Sequence, residues 1–117
     1  IARMLYASGD ILLMPSLYEP CGLSQMFAMR YGTLPVATST GGLADTILDY
    51  SANPNSATGF LYLDKTDEGL KQALTLALKV FKEKTSWAIM RRNAMSAQFS
   101  WKLSAGKYLD VYRKLLA

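Results

Sequence analysis

The residues best suited to chemistry are residues 19–25, which read Glu-Pro-Cys-Gly-Leu-Ser-Gln and precede a predicted helix. The backbone N–H groups of Gly22, Leu23 and Ser24 would be unpaired at the start of that helix. Such groups, with the helix dipole behind them, bind phosphate. Glu19 supplies an acceptor for sugar hydroxyls, or a negative charge beside a developing cation. The segment is therefore a candidate site for a phosphate-bearing sugar ligand.

A purely structural role for these residues stays open on spacing alone. Acidic residues favour helix starts, so Glu19 could cap the helix while Gly22 only makes a turn. Cys21 is the one cysteine and has no adjacent base, which favours a small packed residue over a nucleophile. A second glycine segment, residues 40–43, could admit a ligand or form a tight turn.

Length and composition narrow the classes of protein that fit. The chain has 117 residues, enough for one domain with a core, and half of them are hydrophobic. With a single cysteine and no histidine, it holds no internal disulfide, no Ser-His-Asp or Cys-His triad and no His-based zinc site. No apolar run approaches the roughly 20 residues that span a bilayer. Because the chain starts at Ile1 without a signal-peptide pattern, we expect a fragment entered in mid-helix.

The net charge of +4 is concentrated in the carboxy-terminal third of the chain. Nine basic residues lie between positions 79 and 114, and only Glu83 and Asp110 oppose them there. Charge runs usually form solvated helix faces, which is the interpretation we favour. Attraction to an anionic partner such as nucleic acid is the alternative.

Hydrophobic periodicity predicts alternating helices and strands. The predicted helices cover residues 2–8, 23–31, 44–48, 67–83, 86–97 and 101–117, and the strands cover 11–14, 34–37 and 59–62. Asp67 is the expected cap of the fourth helix, whose apolar stripe is Leu70, Ala73, Leu74, Ala77 and Phe81. This order predicts a Rossmann-like, doubly wound α/β fold with a parallel sheet. Ligands of such folds lie at the carboxyl ends of the strands, where loops 15–22 and 38–42 belong.

Three consecutive segments together resemble one enzyme family. Residues 10–25 closely resemble the signature of bacterial glycogen synthases and plant starch synthases, which form glycosyltransferase family 5. Residues 31–36 and 40–46 match the continuation of that signature in order and spacing. Residues 57–60 and 99–101 look like later landmarks of the same family. The resemblance covers nearly the whole chain, although residues 63–98 match in pattern alone.

The resemblance implies a fold and an activity. It implies that residues 1–117 are part of the carboxy-terminal, donor-binding domain of a GT-B glycosyltransferase with two Rossmann domains. Members of this family transfer glucose from ADP-glucose to the non-reducing end of an α-1,4-glucan with retention, and they need no metal or other cofactor. The expected partners are thus ADP-glucose, the glucan and a missing amino-terminal domain, with no nucleic acid and no membrane.

The resemblance also assigns roles to individual residues. Glu19 would contact the donor glucose and stabilise an oxocarbenium-like transition state. Cys21 and Gly22 would border the glucose, and Leu23 and Ser24 would meet the diphosphate through their amides. The cleft would be lined nearby by Thr40, Gly41, Gly42 and Leu43.

One departure from the wider GT-B pattern narrows the assignment. Many retaining relatives carry a second Glu at the position of Phe27, and its absence supports family 5 but leaves the ribose contact unassigned. A sucrose-phosphate-synthase-like transferase and a non-catalytic carbohydrate- or nucleotide-binding module are the alternatives. The Lys-x-Gly-Gly motif and the upstream basic residues of the family are not in this chain, so we expect negligible activity from the chain alone.

The last helix carries an aromatic stripe whose packing the sequence leaves open. The stripe is formed by Trp101, Ala105, Tyr108, Tyr112 and Leu115. In GT-B proteins the terminal helix commonly crosses to the first domain, which would leave the stripe exposed here and favour self-association. Packing on this same domain is the alternative.

A bacterial cytoplasm is the expected location, with a plastid stroma as the second choice.

Overall fold

The computed structural model describes all 117 residues and contains three strands and six helices. In chain order they are α1 (Ala2–Ser8), β1 (Ile11–Met14), α2 (Ser24–Arg30), β2 (Leu34–Thr38), α3 (Gly41–Thr46), β3 (Phe60–Tyr62), α4 (Asp67–Lys82), α5 (Lys84–Ser96) and α6 (Trp101–Leu116). Every predicted element is present, and its boundaries differ from the prediction by at most three residues. The predicted α/β class with a parallel sheet is confirmed.

The three strands form one parallel sheet in the order β1-β2-β3. In register, Leu13 lies opposite Val36, and Val36 lies opposite Phe60. All five residues of β2 are buried, and since alternate side chains of a strand point to opposite faces, both faces of this strand are covered. Parallel pairing also brings the carboxyl ends of all three strands to one edge.

The core is a cluster of 14 buried apolar residues contributed by the central strand and the helices around it. An aromatic row runs through it: the ring of Phe60 lies 5.5 Å from that of Tyr50 and 6.3 Å from that of Trp87. Phe81 meets Trp87 edge to face at 5.0 Å. These rings fix α4 and α5 against β3, because aromatic pairs in these geometries add to the stability gained by burial alone.

Helix α4 differs from the sequence prediction in its cap and in one member of its stripe. Its cap is Thr66, whose hydroxyl accepts a hydrogen bond from the N–H of Gly69 at 3.2 Å, so the expectation that Asp67 caps the helix is wrong. Asp67 is instead the first helical residue, where its charge still favours the dipole. Ala73 and Ala77 are buried as predicted, whereas Phe81 is 41% exposed.

Helix α3 begins earlier than the hydrophobic pattern suggests. It starts at Gly41 and ends at Thr46, so both glycines lie in its first turn rather than in a turn ahead of it. Glycine has a low helix propensity, so the sequence predicts a start at residue 44, three residues after the observed start. The glycines are required at this point by a contact with the loop that follows β1.

Helix α6 has no buried residue. All five residues of its predicted stripe are exposed, with Trp101 at 85% and Tyr112 at 58%. Of the two arrangements left open by the sequence, the structure has the exposed one. The nine basic residues between positions 79 and 114 are exposed as well, as the solvated-face interpretation expects.

Because α6 buries nothing, we expect its removal to leave the rest of the fold intact. Deletion of residues 101–117 should change the free energy of unfolding by less than about 1 kcal/mol, the range of surface changes. Urea unfolding, followed by the fluorescence of Trp87, gives the free energy of unfolding with and without residues 101–117. In the full chain Trp101 is replaced by Phe, so that Trp87 is the only tryptophan in both proteins.

The matched contrast is a single core truncation in the same assay. Met90→Ala removes a side chain that is 0% exposed and should cost about 2–5 kcal/mol. A deletion of α6 that costs as much as Met90→Ala would contradict the exposed placement of the helix.

Candidate functional site

The two glycine-containing loops lie side by side at the carboxyl edge of the sheet. β1 ends at Met14 and β2 ends at Thr38, and the register pairs Met14 with Ala37. The chain leaves these neighbouring strands into residues 15–23 and 39–40. The parallel sheet therefore brings together the two segments that the sequence analysis singled out.

The two segments touch through their backbones. The N–H of Gly42 donates to the carbonyl oxygen of Glu19 at 2.9 Å. A side chain at Gly41 would overlap that same oxygen, and a side chain at Gly42 would overlap the carbonyl oxygen of Cys21. The glycines are thus required by a close approach between two loops, rather than by a tight turn alone.

Glu19 lies beside the start of α2 with its carboxylate unengaged. The carboxylate makes no hydrogen bond and no ion pair with the rest of the chain, and the side chain is partly exposed. Its Cγ lies 3.1 Å from the position that a Cβ of Gly22 would take. Since α2 begins after Leu23 and has no side-chain cap, the alternative in which Glu19 caps this helix is wrong.

Next to this carboxylate is a row of unpaired backbone donors. The N–H groups of Gly22, Leu23 and Ser24 donate to no atom of the chain, and neither does the hydroxyl of Ser24. Gly22 has a φ of +72°, which favours glycine, and a Cβ there would lie 2.6 Å from Oε1 of Gln25. An acceptor-only group and three free donors therefore lie on one loop, and we call the surface beside them the crevice.

Two predicted site residues differ in exposure from what their types suggest. Cys21 is exposed, so the expectation of a small packed residue is wrong; the loop carries it outward because its backbone faces α3. Leu43 is 0% exposed and belongs to the core, so its side chain does not reach the crevice. Thr40 and Gly41 are at least partly accessible and remain available to a ligand.

Gln25 and Thr46 connect the two loops, and the sequence analysis gave them no role. The amide nitrogen of Gln25 lies 3.0 Å from the oxygen of Cys21, 2.8 Å from that of Gly22 and 3.1 Å from Oγ1 of Thr46. A signal was present in the sequence: Gln25 stands three and four residues before Ala28 and Met29, on the buried face of α2. A polar side chain on such a face needs partners.

Lys65 adds a contact from the third strand end, which the sequence also did not indicate. Its Nζ donates to the carbonyl oxygen of Leu17 at 2.7 Å. The loop that follows β3 is thereby tied to the loop that follows β1. The segments that follow all three strands are thus linked to one another.

Two further observations concern what the chain does not contain. No group of three or more His, Cys, Asp or Glu side chains lies close enough together to hold a metal ion. No helix has both the length and the apolar character needed to cross a membrane.

Comparison with protein families matches residues 3–93 to the family described as Glycosyl transferases group 1. Among curated proteins, the chain is 44% identical over 117 residues to the glycogen synthase of Elusimicrobium minutum. It is 48% identical over 117 residues to that of Geotalea daltonii and 48% identical over 118 residues to that of Thermotoga petrophila. Each alignment covers 100% of this chain and 24% of the relative, so the chain spans about a quarter of their length.

Two solved structures share the fold. The catalytic domain of Starch Synthase IV from Arabidopsis thaliana, bound to ADP and acarbose, superposes with a TM-score of 0.81 at 38% identity, covering 93% of this chain and 23% of that one. The sucrose-phosphate synthase of Thermosynechococcus elongatus gives a TM-score of 0.64 at 28% identity, covering 96% and 27%. The predicted resemblance to glycogen and starch synthases and the predicted likeness to a GT-B domain are both confirmed.

The contact between the loops predicts an asymmetric response of two glycines to the same substitution. Gly42→Ala should destabilise the chain by about 1–3 kcal/mol, because the new methyl group overlaps the carbonyl oxygen of Cys21 and the loops must separate. Gly42 does not have a positive φ, so the cost comes from steric overlap and not from backbone strain. Urea unfolding gives the free energies.

Gly106→Ala is the matched control, since nothing lies within 4 Å of the added methyl group on exposed α6. It should be neutral or should stabilise the helix by up to about 1 kcal/mol. Equal effects at the two positions would count against the close approach of the loops.

Proposed function

Because this chain belongs to the family of group 1 glycosyl transferases, we propose that it forms the donor-binding part of a glycogen or starch synthase. The proposed enzyme transfers glucose from ADP-glucose to the non-reducing end of an α-1,4-glucan with retention of configuration. The observation that carries this proposal is the identity of 44–48% with glycogen synthases over the whole chain. Since the chain spans 24% of those relatives, a further domain completes the site in this proposal.

In the proposed complex the crevice holds the glucosyl diphosphate. The carboxylate of Glu19, which has no partner of its own, contacts the glucose and stabilises positive charge as the bond to the diphosphate breaks. Cys21 and Gly22 border the sugar. The free N–H groups of Leu23 and Ser24 bind the diphosphate oxygens, and Thr40 and Gly41 line the cleft beside them.

The chemical change is the exchange of one bond at the anomeric carbon. The bond from C1 of glucose to the diphosphate oxygen breaks, and a bond from C1 to the hydroxyl oxygen of the glucan forms. The proton of that hydroxyl leaves with the diphosphate, which departs as ADP. The negative charge of Glu19 and the amide donors act on opposite charges of the same transition state, so no metal or other cofactor is proposed.

The choice of ADP has support outside this chain. The starch synthase with the similar fold was crystallised with ADP and acarbose, and we extend the nucleotide to this chain by its 38% identity. The contact to the base is assigned to the completing domain. We further propose a bacterial cytoplasm as the location, with a plastid stroma as the alternative, because the glycogen synthase relatives are bacterial.

A sucrose-phosphate-synthase-like activity is the second candidate. The specific observation in its favour is the TM-score of 0.64 to such an enzyme. The identity of 28% and the absence of a second Glu at Phe27 make it the weaker candidate. A transferase of this kind would use a sugar phosphate as the acceptor rather than a glucan.

The exposed helix α6 fits a protein that needs a further surface to cover it. We propose that the face of Trp101, Tyr108 and Tyr112 packs on the completing domain in the whole enzyme. In the isolated chain the same face drives self-association, because exposed apolar patches of this kind associate in water. Sedimentation velocity on the chain with and without residues 101–117 distinguishes the two forms; equal, monomeric behaviour of both would contradict the proposal.

The proposed role of Glu19 gives the first functional test, in the full-length synthase that carries this chain. Glu19→Ala should lower turnover with ADP-glucose by about 10²–10³-fold, the range for loss of one preorganised electrostatic group at a transition state. The unfolding midpoint should stay close to that of the parent, because the carboxylate has no partner to lose.

Glu68→Ala is the matched control, since Glu68 is exposed and its ion pair with Lys71 spans 3.7 Å on the surface of α4. It should leave turnover unchanged. Normal turnover by Glu19→Ala would remove the catalytic assignment. Glucose transfer to fructose 6-phosphate but not to a glucan would favour the second candidate.

A further inference from the structure

Gln25 is the one long polar side chain that is fully buried in this structure. It is the second residue of α2, and its exposed fraction is 0%. Burying an amide group is unfavourable unless hydrogen bonds replace those it makes with water. Its surroundings therefore indicate what the amide is used for.

The hydrogen bonds of Gln25 fix which way its amide points. Nε2 lies within 3.1 Å of three oxygen atoms, those of Cys21, Gly22 and the Thr46 hydroxyl, so its two hydrogens serve three acceptors. The hydroxyl of Thr46 gives its own hydrogen to the carbonyl oxygen of Gly42 at 2.6 Å. Turning the amide over would place Oε1 against two carbonyl oxygens, so only one orientation is compatible with these neighbours.

These bonds close a circuit between the two loops. It runs from Gln25 to Thr46, from Thr46 to the oxygen of Gly42, and from the N–H of Gly42 to the oxygen of Glu19. The circuit returns to Gln25 through the oxygens of Cys21 and Gly22. Glu19 and the donor row are thus held in one hydrogen-bonded frame.

The circuit determines the direction of two free N–H groups. The chain has no cis peptide bond, and in a trans peptide unit the C=O and the N–H point in opposite directions. The oxygen of Cys21 points towards Gln25, so the N–H of Gly22 points away from it. By the same geometry, the inward oxygen of Gly22 turns the N–H of Leu23 outward.

Packing alone does not account for a glutamine at this position. Its Oε1 is buried and has no hydrogen-bond partner. An unpaired buried acceptor of this kind costs about 1–3 kcal/mol. Methionine has a similar length and would fill the same space, but it would leave the oxygens of Cys21 and Gly22 without this donor. The amide nitrogen is therefore the part of the side chain that has a use.

We propose that Gln25 is a positioning residue that aims the N–H groups of Gly22 and Leu23 into the crevice, with Thr46 as its partner. Gln25 acts through the backbone of residues 19–23, the donor loop, and does not itself touch the substrate. The proposal rests on the proposed function for the identity of the ligand, a sugar diphosphate. The orientation of the N–H groups is a property of the chain alone.

The direct test measures those orientations in the 117-residue chain without any ligand. Residual dipolar couplings of the Gly22 and Leu23 N–H vectors should change or average towards zero in Gln25→Met, while those of α4 and α5 stay as in the parent. Thr46→Val, which removes one hydroxyl, should shift the same couplings in the same direction. Couplings of Gly22 and Leu23 that remain unchanged in both variants would overturn the proposal.

The functional test uses the full-length synthase. Gln25→Met should lower kcat/KM for the sugar nucleotide by about 10²-fold in enzyme that is still folded at the assay temperature, as expected for a displacement of about 1 Å in a binding group. Thr46→Val should also lower kcat/KM, whereas Thr46→Ser should keep it close to the parent value because serine retains the hydroxyl. The double variant of Gln25 and Thr46 should be no worse than Gln25→Met alone, because both belong to one circuit.

Gln72→Met is the matched control, since Gln72 is exposed on α4 and should not affect kcat/KM. A purely structural role predicts that Gln25→Met lowers the unfolding midpoint and leaves kcat/KM unchanged at temperatures where the enzyme is folded, and that result would overturn the proposal. If the parent enzyme does not use ADP-glucose, the proposed function fails by itself. The dipolar couplings still decide the role of Gln25 in that case.

Discussion

The backbone of residues 19–21 lies directly on the backbone of Gly41 and Gly42, and the rest of the candidate site depends on this contact. Carbonyl oxygens occupy the space in which side chains of the two glycines would stand. With the N–H of Gly42 bonded to Glu19, the contact fixes the height of the donor loop above the sheet. Elements that would otherwise be two mobile surface loops become one wall, with a carboxylate and free amides on its open side.

The sheet makes this contact available and the side chains make it specific. Parallel pairing of β1 and β2 places their following loops at one edge, as in any parallel sheet. Gln25 and Thr46 then select one arrangement of those loops, since their hydrogen bonds are satisfied only when the carbonyl oxygens of the donor loop turn inward. The sheet topology thus brings the two loops together, and the polar side chains fix their arrangement.

The sequence was informative wherever one physical signal dominated. The spacing of the apolar residues and the positions of the glycines located every strand and helix. The spacing of Glu19 and Gly22 in front of a helix indicated the crevice. The sequence was uninformative where the structure depended on contacts between distant segments. Cys21 is exposed and α3 starts as early as Gly41 because of the contact between the two loops, and no local propensity contains that information. Thr66 rather than Asp67 caps α4, since both types are good caps and only geometry distinguishes neighbours.

The lone thiol of Cys21 has a consequence for how the molecule responds to oxidation. It is the only sulfhydryl in these 117 residues and it is solvent-accessible, so a disulfide formed by the isolated chain links it to a second molecule. Because Cys21 stands two residues after Glu19, the attached molecule would lie close to this carboxylate and obstruct access to it. A reducing medium therefore preserves access to the crevice as well as the covalent state of the sulfur.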